Sequence, residues 1–201
     1  MTPIEVECGI WVDHHDRAPA SGHPDDLRAT RDGPAWRRAQ RLGARGLLRR
    51  LLDRVVPAPA GAEIETCPGG RPRLKGWPQI GISLSHDEGL AAVAVAIGRH
   101  VGVDVQTPPR DLSEGLVRRC LRERAPAVLS LDAEARATEF AWIWSVQEAC
   151  VKCEGSGLAG RPWCIDVPAG AAAGRWRDVT WRMLRRHTAI PISCAFGEPR
   201  C

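Results

Sequence analysis

The sequence predicts an α+β fold, and three observations carry that prediction. Segments with a helical period near 3.6 and segments with a strand period of two occupy separate blocks of the 201 residues, instead of alternating one by one as in a parallel βαβ array. Helical material precedes antiparallel-type strands twice, once on either side of Thr107-Pro108-Pro109-Arg110. Apolar residues make up 44% of the chain, enough to fill one moderate domain or two small halves, which excludes extended disorder, collagen and a pure coiled coil. The Pro-rich segment is the expected boundary, with an N-terminal half over residues 1–106 and a C-terminal half over 107–201. The halves share an element order without an alignable sequence repeat.

From the N-terminus, Asp13 to Pro34 is rich in Asp, His, Pro and Gly and is expected to be loop or short irregular helix. Trp36 to Val56 sets arginines against Leu42, Leu47, Leu48, Leu51 and Leu52 at helical spacing, an amphipathic helix that Pro57 and Pro59 stop. Ala62 to Thr66 is a candidate short strand, and Pro68-Gly69-Gly70-Arg71-Pro72 is turn chemistry. Ile80 to Ser85 alternates apolar residues with Ser83 and Ser85, breaks at His86-Asp87-Glu88-Gly89 and resumes in Leu90 to Ile97, which predicts a hairpin. Val101 to Val105 is a third strand, with Val101, Val103 and Val105 on one face and Gly102, Asp104 and Gln106 on the other. Beyond the boundary, Leu112 to Arg124 and Asp132 to Glu154 are expected helices, the second closed by Gly155-Ser156-Gly157. Strands are expected at Trp163 to Val167, Val179 to Arg185 and Ile190 to Phe196.

A net charge of +4 invites an anionic partner: nucleic acid, a phosphorylated small molecule or an acidic protein. Only Lys75 and Lys152 among the 28 basic residues are lysine, so the arginine excess is equally explained by coding bias. No apolar run is long enough to span a bilayer and the N-terminus has no secretory pattern, so a cytoplasmic protein without a membrane partner is expected. The eight cysteines lack framework spacing, which favours free thiols over disulfides, and Cys150 with Cys153 lacks the further close pair of a zinc ribbon.

Trp144-Ser145-Val146-Gln147-Glu148-Ala149-Cys150-Val151-Lys152 carries the strongest chemical signal. On a helix Glu148 and Lys152 share a face, one turn apart. A solvent-exposed ion pair worth about 0.3–0.5 kcal/mol would explain that spacing. The use of a lysine in an arginine-rich chain, just before a glycine turn, points instead to a site that handles phosphate and a metal. A period of two places Asp104 and Gln106 about 6.6 Å apart on one face of an apolar strand. A carboxylate there needs a partner; with Glu148 it would form a two-carboxylate site of the hard oxygen type that Mg²⁺ prefers. In Ser83-Leu84-Ser85-His86-Asp87, His86 is a candidate phosphate contact, whereas a local Ser/His/Asp triad is disfavoured because adjacent side chains on a strand diverge. Arg71 in its Gly-Arg-Pro turn is a candidate anion contact or an ordinary surface arginine.

Gly70-Arg71-Pro72, Ile82-Ser83-Leu84-Ser85-His86, Gly102-Val103-Asp104-Val105-Gln106 and the stretch from Trp144 to Leu158 together resemble the 4'-phosphopantetheinyl transferases, in particular the larger monomeric branch that includes the surfactin-synthetase-activating type. The resemblance covers about residues 37 to 167. It implies a pseudo-dimeric α+β fold of two similar halves, each with a small antiparallel sheet and a long helix, with coenzyme A and Mg²⁺ in the cleft between them. The implied reaction moves the phosphopantetheine arm of coenzyme A to a serine of an apo acyl or peptidyl carrier protein and releases 3',5'-ADP. By the same resemblance Asp104, Glu148 and Gln106 are the metal ligands. Glu148 and Lys152 are the catalytic pair, and Arg45, Arg71, Ser85, His86 and Lys152 contact coenzyme A. Two departures stand out: Gln106 replaces a frequent acidic residue, and Gln147 replaces a common lysine before the catalytic glutamate. The arginine-rich helix over Arg37 to Arg50 is expected to steer an acidic carrier. Competing expectations are an arginine-rich nucleic-acid-binding module and a catalytically inactive carrier-binding homologue; the first is weakened by the absence of tyrosine and of an aromatic-interleaved basic strand.

Overall fold

The computed structural model describes residues 2–198. Two four-stranded antiparallel sheets, each covered on one face by a long helix, form the fold, in agreement with the expected pseudo-dimeric α+β class. The first sheet contains β1 (Ile4–Glu7), β2 (Ile10–Asp16), β5 (Ile80–Asp87) and β6 (Leu90–Ile97), in the order β1-β2-β6-β5. The second contains β7 (Val101–Val105), β8 (Ala173–Trp176), β9 (Val179–Met183) and β10 (Ile192–Gly197), in the order β7-β10-β9-β8. A separate two-stranded ribbon pairs β3 (Ile64–Thr66) with β4 (Pro72–Leu74).

The helix expected over Trp36 to Val56 is α2 (Ala35–Val55). Leu47, Leu48, Leu51 and Leu52 pack from it onto Ile82, Val93 and Val95 of the first sheet. The longest helix, α5 (Ala133–Glu154), starts where the Asp132 side chain accepts the Ala135 N–H at 2.9 Å. It ends at Gly155, whose φ of 82° is the left-handed conformation a glycine cap adopts without strain. The short helix α1 (Pro24–Ala29) precedes α2, and α3 (Glu114–Leu121) and α4 (Ala125–Leu129) lie between α2 and α5.

Strand parity explains how the layers join. In β6, Val93 and Val95 face α2, while Ala92, Ala94 and Ala96 face the second sheet and pack with Val101, Val103, Val105, Ile192 and Cys194. Small alanines on that face let the sheets approach closely. The β5–β6 hairpin turns at Glu88 and Gly89, both with positive φ as a two-residue type I′ connection requires.

Several sequence expectations change. The sheets exchange at Gly98–His100, because β7 hydrogen-bonds to β10 and not to β6, so the third strand belongs to the second sheet and not to the hairpin before it. Asp13 to Asp16 is strand, paired with Leu90 to Val93, where polar composition suggested loop. The strand expected over Trp163 to Val167 is absent among the described residues: Pro162–Cys164 forms a 3-10 turn, entered from Arg161 in the left-handed region. Its apolar residues Ile165 and Val167 are buried against the α5 core without a strand partner, so burial alone explains their pattern. The helix expected over Leu112 to Arg124 shortens to α3 followed by a 3-10 turn.

Candidate active site

The site forms where β5 and β7, edge strands of the two sheets, lie side by side beneath α5. No backbone ladder joins these strands. Instead, Val103 N–H donates to Ser83 Oγ at 3.0 Å and Val105 N–H to Ser85 Oγ at 3.4 Å. The alternation of serine with apolar residues in β5 thus serves the seam on one face and the α2 core on the other.

Helix α5 is buried nearly all round along this stretch. Trp144, Glu148 and Lys152, spaced four apart, form the one half-buried stripe amid buried neighbours. That stripe faces β7. Gly102 makes the approach feasible, since a Cβ there would stand 2.0 Å from the Ala149 carbonyl oxygen and 2.6 Å from the Cys153 nitrogen. Asp104, two residues on, therefore looks onto the same helix face as Gly102.

Lys152 Nζ donates to Asp104 Oδ1 at 2.6 Å, to Ser85 Oγ at 3.0 Å and to the Val103 carbonyl at 3.3 Å, and Ser85 Oγ donates to Asp104 Oδ1 at 2.7 Å. Asp104 is almost completely buried, and this lysine and serine provide its compensation. Glu148 differs: among the described residues no donor hydrogen-bonds its carboxylate, and burial followed by the nearby Asp104 charge pushes its pKa above the usual carboxylate range, against the pull of Lys152. Burial and then the Lys152 charge lower His86, which keeps its imidazole neutral at pH 7.

Asp104, Gln106, Glu148, Lys152, Ser85 and His86 all line a cleft of about 260 Å³, with Trp144 and Asp87 beside them. Six of the sequence-predicted site residues thus meet in one place. Arg71 stands next door, in a hollow bounded by Lys152 and the glycines Gly69, Gly70, Gly155 and Gly157, where its Nη1 lies 2.9 Å from His100 Nδ1. Arg45 is not brought to the cleft: its Nη1 donates to Asp26 Oδ1 at 2.8 Å, beside Arg49, which contacts the same carboxylate at 2.6 Å. The periodicity that placed Arg45 on the polar side of α2 could not reveal that Asp26, 19 residues earlier, neutralises it. For the same reason Arg49 is not a free steering charge.

Gln147 is 1% exposed and turned away from the cleft. Its Nε2 donates to the Cys120 carbonyl at 3.2 Å and the Ile165 carbonyl at 3.0 Å, tying α3 and the turn after Pro162 to α5. Gln147 is therefore a packing residue and not part of the cleft lining. Arg41 acts on His86 electrostatically and, like Asp87, was missed from sequence. Asp87 was legible in principle, because a period of two from Ser83 and Ser85 puts it on their face.

The residues available to a divalent cation are Asp104, Glu148 and Gln106, hard oxygen donors of the kind Mg²⁺ takes. Among the described residues no group of three His, Cys, Asp or Glu side chains is close enough to make a metal cluster by itself. The donor chemistry nonetheless fits: three carboxylates, Asp87, Asp104 and Glu148, share the cleft with one ammonium, and burial together with the Asp104 charge raises the Glu148 pKa.

Two sheet–helix units thus enclose a cleft that holds Asp104, Glu148 and Lys152. Residues 100–181 match the model of the 4'-phosphopantetheinyl transferase superfamily. Over 176 residues the chain is 30% identical to the 4'-phosphopantetheinyl transferase HetI of Nostoc sp., covering 79% of this chain and 73% of that protein. Over 119 residues it is 29% identical to the L-aminoadipate-semialdehyde dehydrogenase-phosphopantetheinyl transferase of Eremothecium gossypii, covering 51% of this chain and 40% of that one. The chain belongs to the 4'-phosphopantetheinyl transferase superfamily. No helix among the described residues is long and apolar enough to cross a membrane.

Proposed function

We propose that the protein is a Mg²⁺-dependent 4'-phosphopantetheinyl transferase of the monomeric, surfactin-synthetase-activating type, moving the phosphopantetheine arm of coenzyme A onto a serine of an apo carrier protein. The convergence of Asp104, Glu148 and Lys152 from two distant segments in one cleft carries this reading. Residues 1–106 supply Arg71, Ser85, His86 and Asp104, and residues 107–201 supply the helix with Glu148 and Lys152. One chain provides both sides of the cleft, which supports action as a monomer.

In this reaction the carrier serine oxygen attacks the phosphorus bearing the pantetheine arm, and the bond from that phosphorus to the oxygen of the 3',5'-ADP phosphate breaks. Glu148 accepts the serine proton, a role suited to a carboxylate without a hydrogen-bond donor and with a raised pKa. Lys152, on a flexible stem beside Asp104, meets the negative charge that grows on the departing phosphate. His86, kept neutral, donates or accepts one hydrogen bond to the coenzyme without adding charge. Arg71 provides a fixed cation at the neighbouring hollow for a further phosphate. A divalent cation held by Asp104, Glu148 and Gln106 neutralises pyrophosphate charge when bound.

Incubation of the protein with coenzyme A, Mg²⁺ and apo carriers of the fatty-acid, polyketide and peptide-synthetase classes, followed by mass spectrometry, tests the reading. A mass gain of one phosphopantetheine arm is expected on at least one carrier. No gain on any of them would leave only a carrier-binding or unrelated role.

A further inference from the structure

Gln106 is the neutral member of the oxygen-donor set Asp104, Glu148 and Gln106, and a further carboxylate stands beside it on the neighbouring strand. Asp87 ends β5, directly before the Glu88-Gly89 turn, and lines the same cleft as Asp104, Glu148 and Gln106. Its Oδ2 accepts the Thr107 N–H at 2.6 Å and Gln106 Nε2 at 3.3 Å. Gln106 Nε2 also donates to the Thr107 carbonyl at 3.1 Å.

These contacts determine which way the amide of Gln106 is turned. A carboxylate accepts hydrogen bonds and offers none, so the amide must direct its NH₂ at Asp87 and at the Thr107 carbonyl. The carbonyl oxygen, Oε1, is left without a protein partner among the described residues, in a residue that lines the cleft. Without the carboxylate at position 87 the Thr107 carbonyl alone would hold the NH₂, one neutral acceptor in place of two, and the flipped amide, which presents NH₂ to a cation, would gain in population.

We infer that Asp87 is a positioning residue for the cation site: it orients the Gln106 amide so that its oxygen is the available donor, and it supplies the negative charge that Gln106 lacks. This inference rests on the metal-dependent reading above. It makes Asp87 and Gln106 a coupled pair, the acid at the end of β5 and the neutral oxygen just after β7.

The test is Mn²⁺ binding to the full chain without coenzyme A, followed by the loss of the free-ion signal in electron paramagnetic resonance. Asp87→Asn keeps the oxygen that accepts both the Thr107 N–H and Gln106 Nε2 and so removes the charge alone, whereas Asp87→Ala removes the charge and the orienting acceptor together; the melting temperature checks that each variant keeps the turn. Asp87→Ala is expected to weaken Mn²⁺ binding at least tenfold and further than Asp87→Asn, equal losses overturning the orienting role, and Asp87→Ala combined with Gln106→Glu is expected to restore binding to within about threefold, because a carboxylate at position 106 carries its own charge and needs no orienting partner. Unchanged affinity in Asp87→Ala, with the parent chain binding Mn²⁺, overturns the inference and spares the metal reading. Weakened affinity that Gln106→Glu fails to restore also overturns it, leaving Asp87 as a pin for Thr107 alone. A parent chain that binds no Mn²⁺ overturns both.

Discussion

Lys152 Nζ lies 2.6 Å from Asp104 Oδ1, so a lysine one turn from Glu148 is spent on the carboxylate of the facing strand and not on its own helical neighbour. A surface i,i+4 pair would have been the ordinary use of that spacing. Lys152 therefore competes with any cation for Asp104. Lys152→Ala should bind Mn²⁺ more tightly than the parent while losing about 100-fold in kcat, the scale of removing one donor to a developing charge. Weaker Mn²⁺ binding in the variant would show that the ammonium does not share the cation's position.

Glu148 titrates above ordinary carboxylates because burial and Asp104 disfavour its charge. A base must be ionised, and a divalent cation beside Glu148 would pull its pKa back down, so the raised value belongs to the cation-free protein. In Glu148→Gln, kcat should fall by about 10²–10⁴, the range for removing a positioned general base. The sign for stability is opposite. A raised carboxyl pKa gives stability that is present below the unfolded value and lost as pH rises through the folded one. Without divalent cation at neutral pH, Glu148→Gln should melt higher than the parent, and the gap should close at acid pH. An equal or lower melting temperature at neutral pH would contradict a strained Glu148.

Asp26 is fully buried, and although burial pushes its carboxyl up, hydrogen bonds from Arg49, Ser21 and Arg45 bring its pKa down to about 2. It ties the segment before α2 to that helix. Its stabilisation is present above the unfolded carboxylate value and fades as pH falls toward 2. Asp26→Ala leaves two largely buried guanidinium groups unpaired and should cost about 3–5 kcal/mol in urea unfolding. A loss under 1 kcal/mol would mean that water reaches both arginines.

Gly102→Ala should be among the most damaging substitutions in the second sheet, since its Cβ would fall 2.0 Å from the Ala149 carbonyl oxygen. Moving α5 off β7 also carries Glu148 and Lys152 away from Asp104. Destabilisation of at least about 3 kcal/mol is expected, at the upper end for overpacking, together with lost transfer activity. Stability and activity near the parent's would show that α5 can shift without cost.

The helices and the hairpin were legible because their signals are local: leucine spacing in α2, the Asp132 and Gly155 caps of α5, and alternation in β5 and β6. Asp104, Glu148 and Lys152 were legible because strand and helix periods each place them on one face. What escaped depends on partners far along the chain. Val101 to Val105 pairs with Ile192 to Phe196, about 90 residues later, so no local pattern could assign it to the second sheet. Arg45 was expected at coenzyme A by resemblance, and the sequence does not show that Asp26 folds back against α2 to pair with it. Ile165 and Val167 mimic a strand by alternating, though only burial is required of them.

The serine contacts between β5 and β7 give the molecule a mechanical character. A continuous ladder would weld the sheets into one plate, whereas here an apolar layer backs a rim of two hydroxyl bridges and a lysine, and the cleft opens at that rim. A ligand lodged there acts as mortar between two bricks. Heating with coenzyme A present should then raise the melting of both halves together as a single cooperative transition, and not strengthen one half alone.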